Sequence, residues 1–181
     1  MNQKIKNLFY YALLMATFSN LLSESQAQSP KPDDADCRSF VQTFYNNYAA
    51  KMRKGTNPSY DNPNFSRELV RQLKEDELAS SKVKDEIVGL DFDPVLATNA
   101  EPAEKYIVEK VTTHGDSFWV DVYGVYSGKK SEKPIVQPEL HKLNQKWIIT
   151  NFHYEKSKIP TNDDLLSVLK QLRQDRQKYS K

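Results

Sequence analysis

Two carboxylates two residues apart, Asp91 and Asp93, are the residues of this sequence whose spacing first suggests chemistry. In an extended segment, side chains at i and i+2 point to the same side, so the pair could bind a cation or exchange protons. However, Asp93 precedes Pro94, and an aspartate before a proline commonly stabilises a turn by bonding its own backbone. A calcium ion would also require more than two oxygen ligands. We therefore favour a structural turn over a functional pair and predict neither a metal nor a cofactor.

The three histidines, His114, His141 and His153, give little support for catalysis. The sequence indicates a turn for the first and strands for the other two, and no serine or cysteine motif accompanies them. We predict no catalytic residues. The alternative hypothesis is a small-molecule enzyme that uses the cavity of the fold, with Asp91, Asp93 or His153 as acid or base.

The first of two predicted hairpins runs from Lys105 to Tyr126 and turns at Gly115-Asp116, a strong turn signal between runs rich in valine and aromatics. This turn pairs Val111 with Val120 and sorts the side chains onto two faces. The face predicted to join the core carries Ile107, Val111, Phe118, Val120 and Val122. The opposite face carries Tyr106, Val108, Lys110, Trp119, Asp121 and Tyr123.

That opposite face is the predicted partner-binding surface, because tyrosine and tryptophan bury much area at interfaces while keeping a polar tip. Its candidate binding residues are Tyr106, Trp119, Asp121 and Tyr123, to which we add Asp91, Asp93 and His153. The alternative is that a helix covers this face, in which case the aromatics belong to the core.

The second predicted hairpin spans Lys133 to Tyr154 and turns at Asn144-Gln145. Two prolines, Pro134 and Pro138, predict that its first strand is at a sheet edge or bulged, since proline cannot donate to a ladder. Large residues on both sides of the last strand predict that this strand is central or covered twice.

Helices are predicted on both sides of the hairpins. The first begins at the N-cap Asp36 and ends at Gly55, with an apolar stripe of Phe40, Val41, Phe44, Tyr45, Tyr48 and Met52. The second runs from Ser66 to about Ser80, with Lys74–Glu77 on a solvated surface. A closing helix starts at Thr161–Asp164 and continues to Leu172. Helices followed by strands indicate an α+β domain over residues 37–172, with a charged tail at 173–181.

The N-terminal residues have the features of an export signal. Lys4 and Lys6 precede the apolar run Leu8–Phe18, and Ser25-Gln26-Ala27 places small residues where a signal peptidase reads them. We predict a signal peptide at 1–27, a flexible leader at 28–36 and a periplasmic mature protein without a membrane span. The single cysteine, Cys37, cannot form an internal disulfide and is either inert or intermolecular. A net charge of +2 with interspersed signs makes nucleic acid a poor partner.

The segment Leu90-Asp-Phe-Asp-Pro-Val-Leu96, followed by a strand that begins Lys146-Trp-Ile-Ile149, resembles the YbjP/YqhG-type family of exported bacterial proteins with a domain of unknown function. The resemblance covers roughly residues 38–154. It implies a cone-shaped roll like that of nuclear transport factor 2, in which a curved antiparallel sheet wraps over N-terminal helices. The family brings no established catalytic residues.

Together these observations predict an exported, non-enzymatic binding module, with a protein-binding or inhibitor- or immunity-like role in the periplasm. Its partner is an unknown protein or small-molecule ligand of the cell envelope, and a homodimer remains open. Because one fold hosts many functions, the small-molecule enzyme stays as the alternative.

Overall fold

The chain folds into an α+β domain in which helices pack on an antiparallel sheet. A computed structural model describes residues 32–56, 59–83, 88–155 and 164–179. Its elements are helices α1 (Pro32–Arg53), α2 (Arg67–Ser80) and α3 (Leu165–Tyr179) and strands β1 (Lys105–His114), β2 (Ser117–Tyr126), β3 (Lys129–Lys130), β4 (Gln137–Leu143) and β5 (Lys146–His153). The predicted α+β class with a closing C-terminal helix is confirmed.

The sheet has the order β1-β2-β4-β5, with the short β3 paired to β2. Strand β4 is therefore interior, so the prediction of an edge strand is wrong. The bulge that interrupts its pairing with β5 is on the partner strand, because Glu139 pairs with Asn151 and Leu140 with Ile149, which leaves Thr150 of β5 as the extra residue. Pro138 is accommodated next to this irregularity, where the regular ladder is interrupted.

Strand β5 ends the strand order, which differs from the predicted central position. Its free edge is nevertheless occupied, because the Ile149 N–H donates to the Asn64 carbonyl and the Ser66 N–H donates to the Ile149 carbonyl, each over 2.8 Å. The segment around Phe65 thus acts as a single parallel bridge on this edge. This contact pairs backbone groups that would otherwise be free on the edge of the sheet.

The two predicted hairpin turns are present. Gly115 has a φ of +63°, and both Asn144 and Gln145 have positive φ, as a two-residue turn between twisted strands requires. The predicted pairing of Val111 with Val120 is confirmed. The turn chemistry of the sequence therefore determined the ends of both hairpins.

A β-bulge in β1 overturns part of the predicted face assignment. Val111 pairs with Val120 but Val108 pairs with Val122, so one extra residue lies between them on β1. Beyond the bulge, the alternation of side chains is inverted, because the period of a strand is two. Tyr106 and Val108 consequently face the core and are 3% and 7% exposed. Ile107, predicted to be in the core, is only partly buried.

The edge of β1 is partly closed by a side chain of α1. The Gln42 amide donates to the Tyr106 carbonyl over 3.0 Å and accepts from the Val108 N–H over 3.1 Å. It thereby replaces the hydrogen bonds of a neighbouring strand. Unpaired strand edges promote aggregation, so this contact protects the sheet at the point where α1 crosses it.

Helix α1 begins at Pro32, which shortens the predicted leader and moves the helix start four residues before Asp36. Proline is well tolerated in the first turn of a helix. The negative charges of Asp33 and Asp34 in that turn interact favourably with the positive end of the helix dipole. The helix ends as predicted at Gly55, whose φ is +69°. The apolar stripe packs as predicted, with Val41 and Tyr45 fully buried.

The other helices begin at caps that the sequence indicates. The Ser66 hydroxyl accepts from the Leu69 N–H at the start of α2, and Asp164 accepts from the Ser167 N–H at the start of α3. Helix α3 continues to Tyr179, so the predicted charged tail is helical through that residue.

A buried ion pair joins these two helices. Asp76, predicted to be solvated, is only 4% exposed and lies 2.5 Å from the Arg176 guanidinium. Its second oxygen accepts from the Leu90 N–H over 2.9 Å. Gly89 is required beside it, since an added Cβ would approach the Asp76 carboxylate to 2.7 Å. This contact holds α2, α3 and the segment at 88–90 together.

Two further predictions concern export and membrane insertion. The predicted signal peptide, residues 1–27, lies outside the described residues. Within the described ranges, no helix combines the length and the apolar character that a bilayer crossing requires.

Candidate functional site

The segment at 91–98 is a turn built on the Asp93 carboxylate. One carboxylate oxygen accepts from the N–H groups of Val95 and Leu96 over 2.9 and 2.7 Å. The Asp93 N–H donates to the Thr98 carbonyl over 2.7 Å, which closes the turn. This is the local backbone bonding that the Asp-Pro pattern predicted.

Three buried tyrosines anchor this turn from different elements. Tyr48 donates to the second Asp93 oxygen over 2.9 Å, Tyr154 to the Pro94 carbonyl over 2.9 Å, and Tyr45 to the Val95 carbonyl over 3.0 Å. Burial raises the pKa of the phenols of Tyr45, Tyr48 and Tyr154. They are therefore neutral donors that fix the turn.

The Asp93 carboxyl has a raised pKa because burial disfavours its charged form. Hydrogen bonds from Leu96, Tyr48 and Val95 act in the opposite direction without cancelling the effect of burial. Asp91, by contrast, is exposed and makes no comparable contact among the described residues. The two carboxylates thus have different environments, and the chain uses Asp93 for structure.

An open cleft of about 520 Å³ nevertheless lies against this turn. Its lining includes Tyr48, Tyr60, Glu77, Asp91 and Asp93. Burial raises the pKa of Tyr60 to about 12. The cleft therefore presents an acidic and aromatic wall, and His153 is not part of that lining.

The outer face of the sheet is the side opposite the helices. We define it by eight side chains of β2, β4 and β5, all partly exposed: Trp119, Asp121, Tyr123, Gln137, Glu139, His141, Ile148 and His153. Three of the four predicted hairpin residues, Trp119, Asp121 and Tyr123, belong to it. Tyr106 does not, because the bulge in β1 turns it into the core beside Tyr45.

Trp119 and His153 form the centre of the outer face. Their rings stack with centroids 3.6 Å apart and planes 18° apart, and the centroid of the His114 ring lies 4.5 Å from that of Trp119. The indole N–H of Trp119 has no hydrogen-bond partner in the part of the chain that the structure describes. An unpaired N–H that is shielded from water typically costs about 1–3 kcal/mol.

Glu139 links two histidines on the outer face. One carboxylate oxygen lies 2.8 Å from the Nε2 atom of His153, and the other lies 3.5 Å from the Nε2 atom of His141. The second ring nitrogen of His141, Nδ1, lies 3.8 Å from a carboxylate oxygen of Asp116. All three histidines of the chain therefore meet on one surface. Their positions in sequence give no sign of this, because strand pairing alone brings them together.

The rest of the outer face is polar and charged. Gln137 donates to Asp121 over 2.6 Å, and the Lys130 ammonium lies 4.2 Å from the centre of the Tyr123 ring. Within the described residues, no group of three or more histidine, cysteine or acidic side chains has the arrangement of a metal site. The arrangement suits a surface that binds through aromatic stacking and hydrogen bonds.

The chain matches no family model, no curated protein and no solved structure.

Proposed function

We propose that the protein is an exported, non-enzymatic binding module whose partner docks on the outer face of the sheet. The observation that carries this proposal is the Trp119–His153 stack, which is aromatic, partly exposed and has an unpaired indole N–H. Large aromatic residues with a polar tip dominate binding energy at protein interfaces.

Packing of the helix side of the sheet supports the same proposal. Tyr45, Phe152, Leu140 and Ile149 fill the interior and have no exposed surface. The buried tyrosine hydroxyls are used to hold the turn at Asp93. A filled interior favours binding at a surface over chemistry in a central cavity.

Export is a second part of the proposal and rests on the N-terminal sequence. We propose cleavage after Ala27 and a periplasmic location. Intact-mass measurement of the protein from a periplasmic extract should give a chain that begins near Gln28. Recovery of the folded protein with residues 1–27 still attached would contradict the proposal.

Membership of the YbjP/YqhG-type family is likewise proposed, on the Leu90–Leu96 segment and the order of the elements around it. The segment has a clear physical role in the structure, since Asp93, Pro94 and Val95 each accept a hydrogen bond from a tyrosine hydroxyl. Such a structural role is consistent with a family that brings no established catalytic residues.

The binding proposal is tested by capture from periplasmic extract with three forms of the protein. The wild type and Leu78→Ala should capture the same partner, because Leu78 is 59% exposed on α2, away from the outer face. Trp119→Ala should lose that partner, whose affinity is then measured with purified components. A partner retained equally by all three forms would place the binding surface elsewhere.

A second candidate function is a small-molecule enzyme whose active site is the acidic cleft. Asp91, Glu77 and Tyr60 line the same cleft, and several titratable groups in one cleft are a common feature of active sites. Asp91→Asn is the informative variant, because Asp91 is exposed and its loss should not disturb folding. Loss of a cellular phenotype in this variant at unchanged stability, with Trp119→Ala behaving as wild type, would favour the enzyme.

A further inference from the structure

A groove in the described part of the chain lies between α1 and the start of β5. We call it the α1–β5 groove. It has a volume of about 550 Å³ and is lined by α1 residues from Asp36 to Asn47, by Pro63 and Asn64, and by residues 145–148. Pockets for small ligands typically have volumes of about 300–1,000 Å³, so its size suits a ligand.

The groove continues along α1. A recess of about 250 Å³ shares Phe44, Asn47, Pro63 and Asn64 with it and extends to Lys51. The distance along α1 from Asp36 to Lys51 is about 22 Å at the helical rise of about 1.5 Å per residue. The combined shape is an elongated trough, which fits a short linear chain better than a compact molecule.

The walls of the groove are held in place by polar contacts. The Trp147 indole donates to the Asp36 carboxylate over 2.8 Å, and the Lys142 ammonium lies 2.6 Å from Asp33 and 3.5 Å from Asp36. These contacts tie the start of α1 to the second hairpin. A site that exists before the ligand arrives loses less entropy on binding.

Neutral polar side chains line the groove above an aromatic base. Its aromatic lining residues are Phe40, which is partly exposed, and Phe44 and Trp147, which are only 5% and 6% exposed. Four side chains make no hydrogen bond within the described residues, and each has at least one donor and one acceptor: Thr43, Asn47, Asn64 and Gln145. A purely apolar ligand would leave these groups unpaired and desolvated, which is unfavourable.

The charged lining residues stand at the two ends and offset each other. Asp36 and Lys146 belong to one end, and Lys51 and Asp61 belong to the other. The groove therefore has no net attraction for a phosphate or a nucleic acid, which would require clustered cations. The ligand that matches it is linear, neutral, rich in donors and acceptors, and apolar on its ring faces.

We propose that the α1–β5 groove binds a neutral oligosaccharide, and that its three primary amides select N-acetylated sugars. Sugar hydroxyls both donate and accept, as do the amides of Asn47, Asn64 and Gln145. An acetamide group offers one N–H and one carbonyl, which pair with a primary amide in both directions. The C–H face of a sugar ring packs on Phe40, the partly exposed aromatic ring of the lining.

The test is isothermal titration of the purified protein with three probes: the N-acetylglucosamine tetramer, cellotetraose and tetra-alanine. The N-acetylated tetramer should bind most tightly, cellotetraose more weakly, and the peptide not measurably. The double variant Asn47→Ala/Asn64→Ala should lower the affinity for the tetramer at least tenfold. Neither side chain makes a hydrogen bond among the described residues, and Asn47 lies in α1, where alanine is favourable, so the variant should fold.

A matched control is Asn99→Ala, which removes an exposed amide from the acidic cleft and should bind the tetramer as the wild type does. Trp119→Ala should also leave sugar binding unchanged, because Trp119 does not line the groove. The proposal is overturned if neither sugar binds, if tetra-alanine binds more tightly than both, or if the double variant binds as tightly as the wild type.

Discussion

The phenol of Tyr48 on α1 donates to the Asp93 carboxylate over 2.9 Å, across 45 residues of sequence. The same carboxylate accepts two backbone N–H groups of its own turn. One side chain therefore serves both the local turn and the attachment of that turn to the first helix. This double use separates Asp93 from its neighbour Asp91, although the sequence presents them as a pair.

Asp93→Ala should lower the free energy of unfolding by about 3 kcal/mol, because it leaves a buried phenol and two N–H groups without an acceptor. Asp91→Ala should change it by no more than about 0.5 kcal/mol, since that side chain is exposed. Urea denaturation of the two variants measures both quantities. Equal effects would mean that Asp93 does not organise the turn.

The pH dependence of stability should differ in sign for two aspartates. The pKa of Asp93 is raised in the folded protein by burial, so its native state holds the proton more tightly than the unfolded chain does. The stability of the wild type relative to Asp93→Asn should therefore fall as the pH rises past the ordinary aspartate pKa of about 3.9.

Asp164 provides the opposite case. Burial would raise its pKa, but hydrogen bonds from Asn151 and Ser167 outweigh burial and lower it. The wild type should therefore be more stable than Asp164→Asn above the ordinary aspartate pKa. This difference should disappear as the pH falls through the lowered pKa of the folded protein. Thermal unfolding of the wild type, Asp93→Asn and Asp164→Asn across this pH range measures both stability differences. The two differences should change with pH in opposite directions, and changes in the same direction would contradict the assignment.

Trp119→Ala should weaken partner binding by about 2 kcal/mol, the usual threshold of an interface hot spot. The free energy of unfolding should fall by only about 1 kcal/mol, since the ring is partly exposed and loses mainly its stacking on His153. Trp119→Phe keeps an aromatic ring and removes the N–H, so it isolates the contribution of the donor. A collapse of the melting temperature in Trp119→Ala would show that the tryptophan belongs to the core.

Arg176→Met should lower the free energy of unfolding by about 3 kcal/mol, because it leaves the buried Asp76 carboxylate without its nearest cation. The matched control is Arg71→Met, which breaks exposed pairs with Glu68 and Glu75 and should lower the stability far less, because exposed ion pairs contribute little. Chemical denaturation compares the two variants. A cost for Arg176→Met as small as that of the control would show that the ion pair does not hold α2 to α3.

The places where sequence and structure disagree share a physical cause. Tyr106 was predicted on the outer face because strict alternation was counted back from the turn at Gly115, and the bulge before Val111 inverts that alternation. Nothing in the residues of β1 marks the bulge, since its position depends on how β1 pairs with β2. Asp76 was predicted in solvent because a run of charges usually is, and only the approach of α3 provides its partner.

The sequence by itself determined the features that depend on neighbouring residues. Turn residues determined both hairpins, Ser66 and Gly55 determined helix ends, and the Asp-Pro pattern determined the turn at Asp93, because each rests on the backbone preferences of a few adjacent residues. Tertiary structure alone decided the order of the strands, the meeting of three histidines around Trp119 and Glu139, and the groove between α1 and β5. These depend on which distant segments pair, and that choice is made by the packing of the whole core.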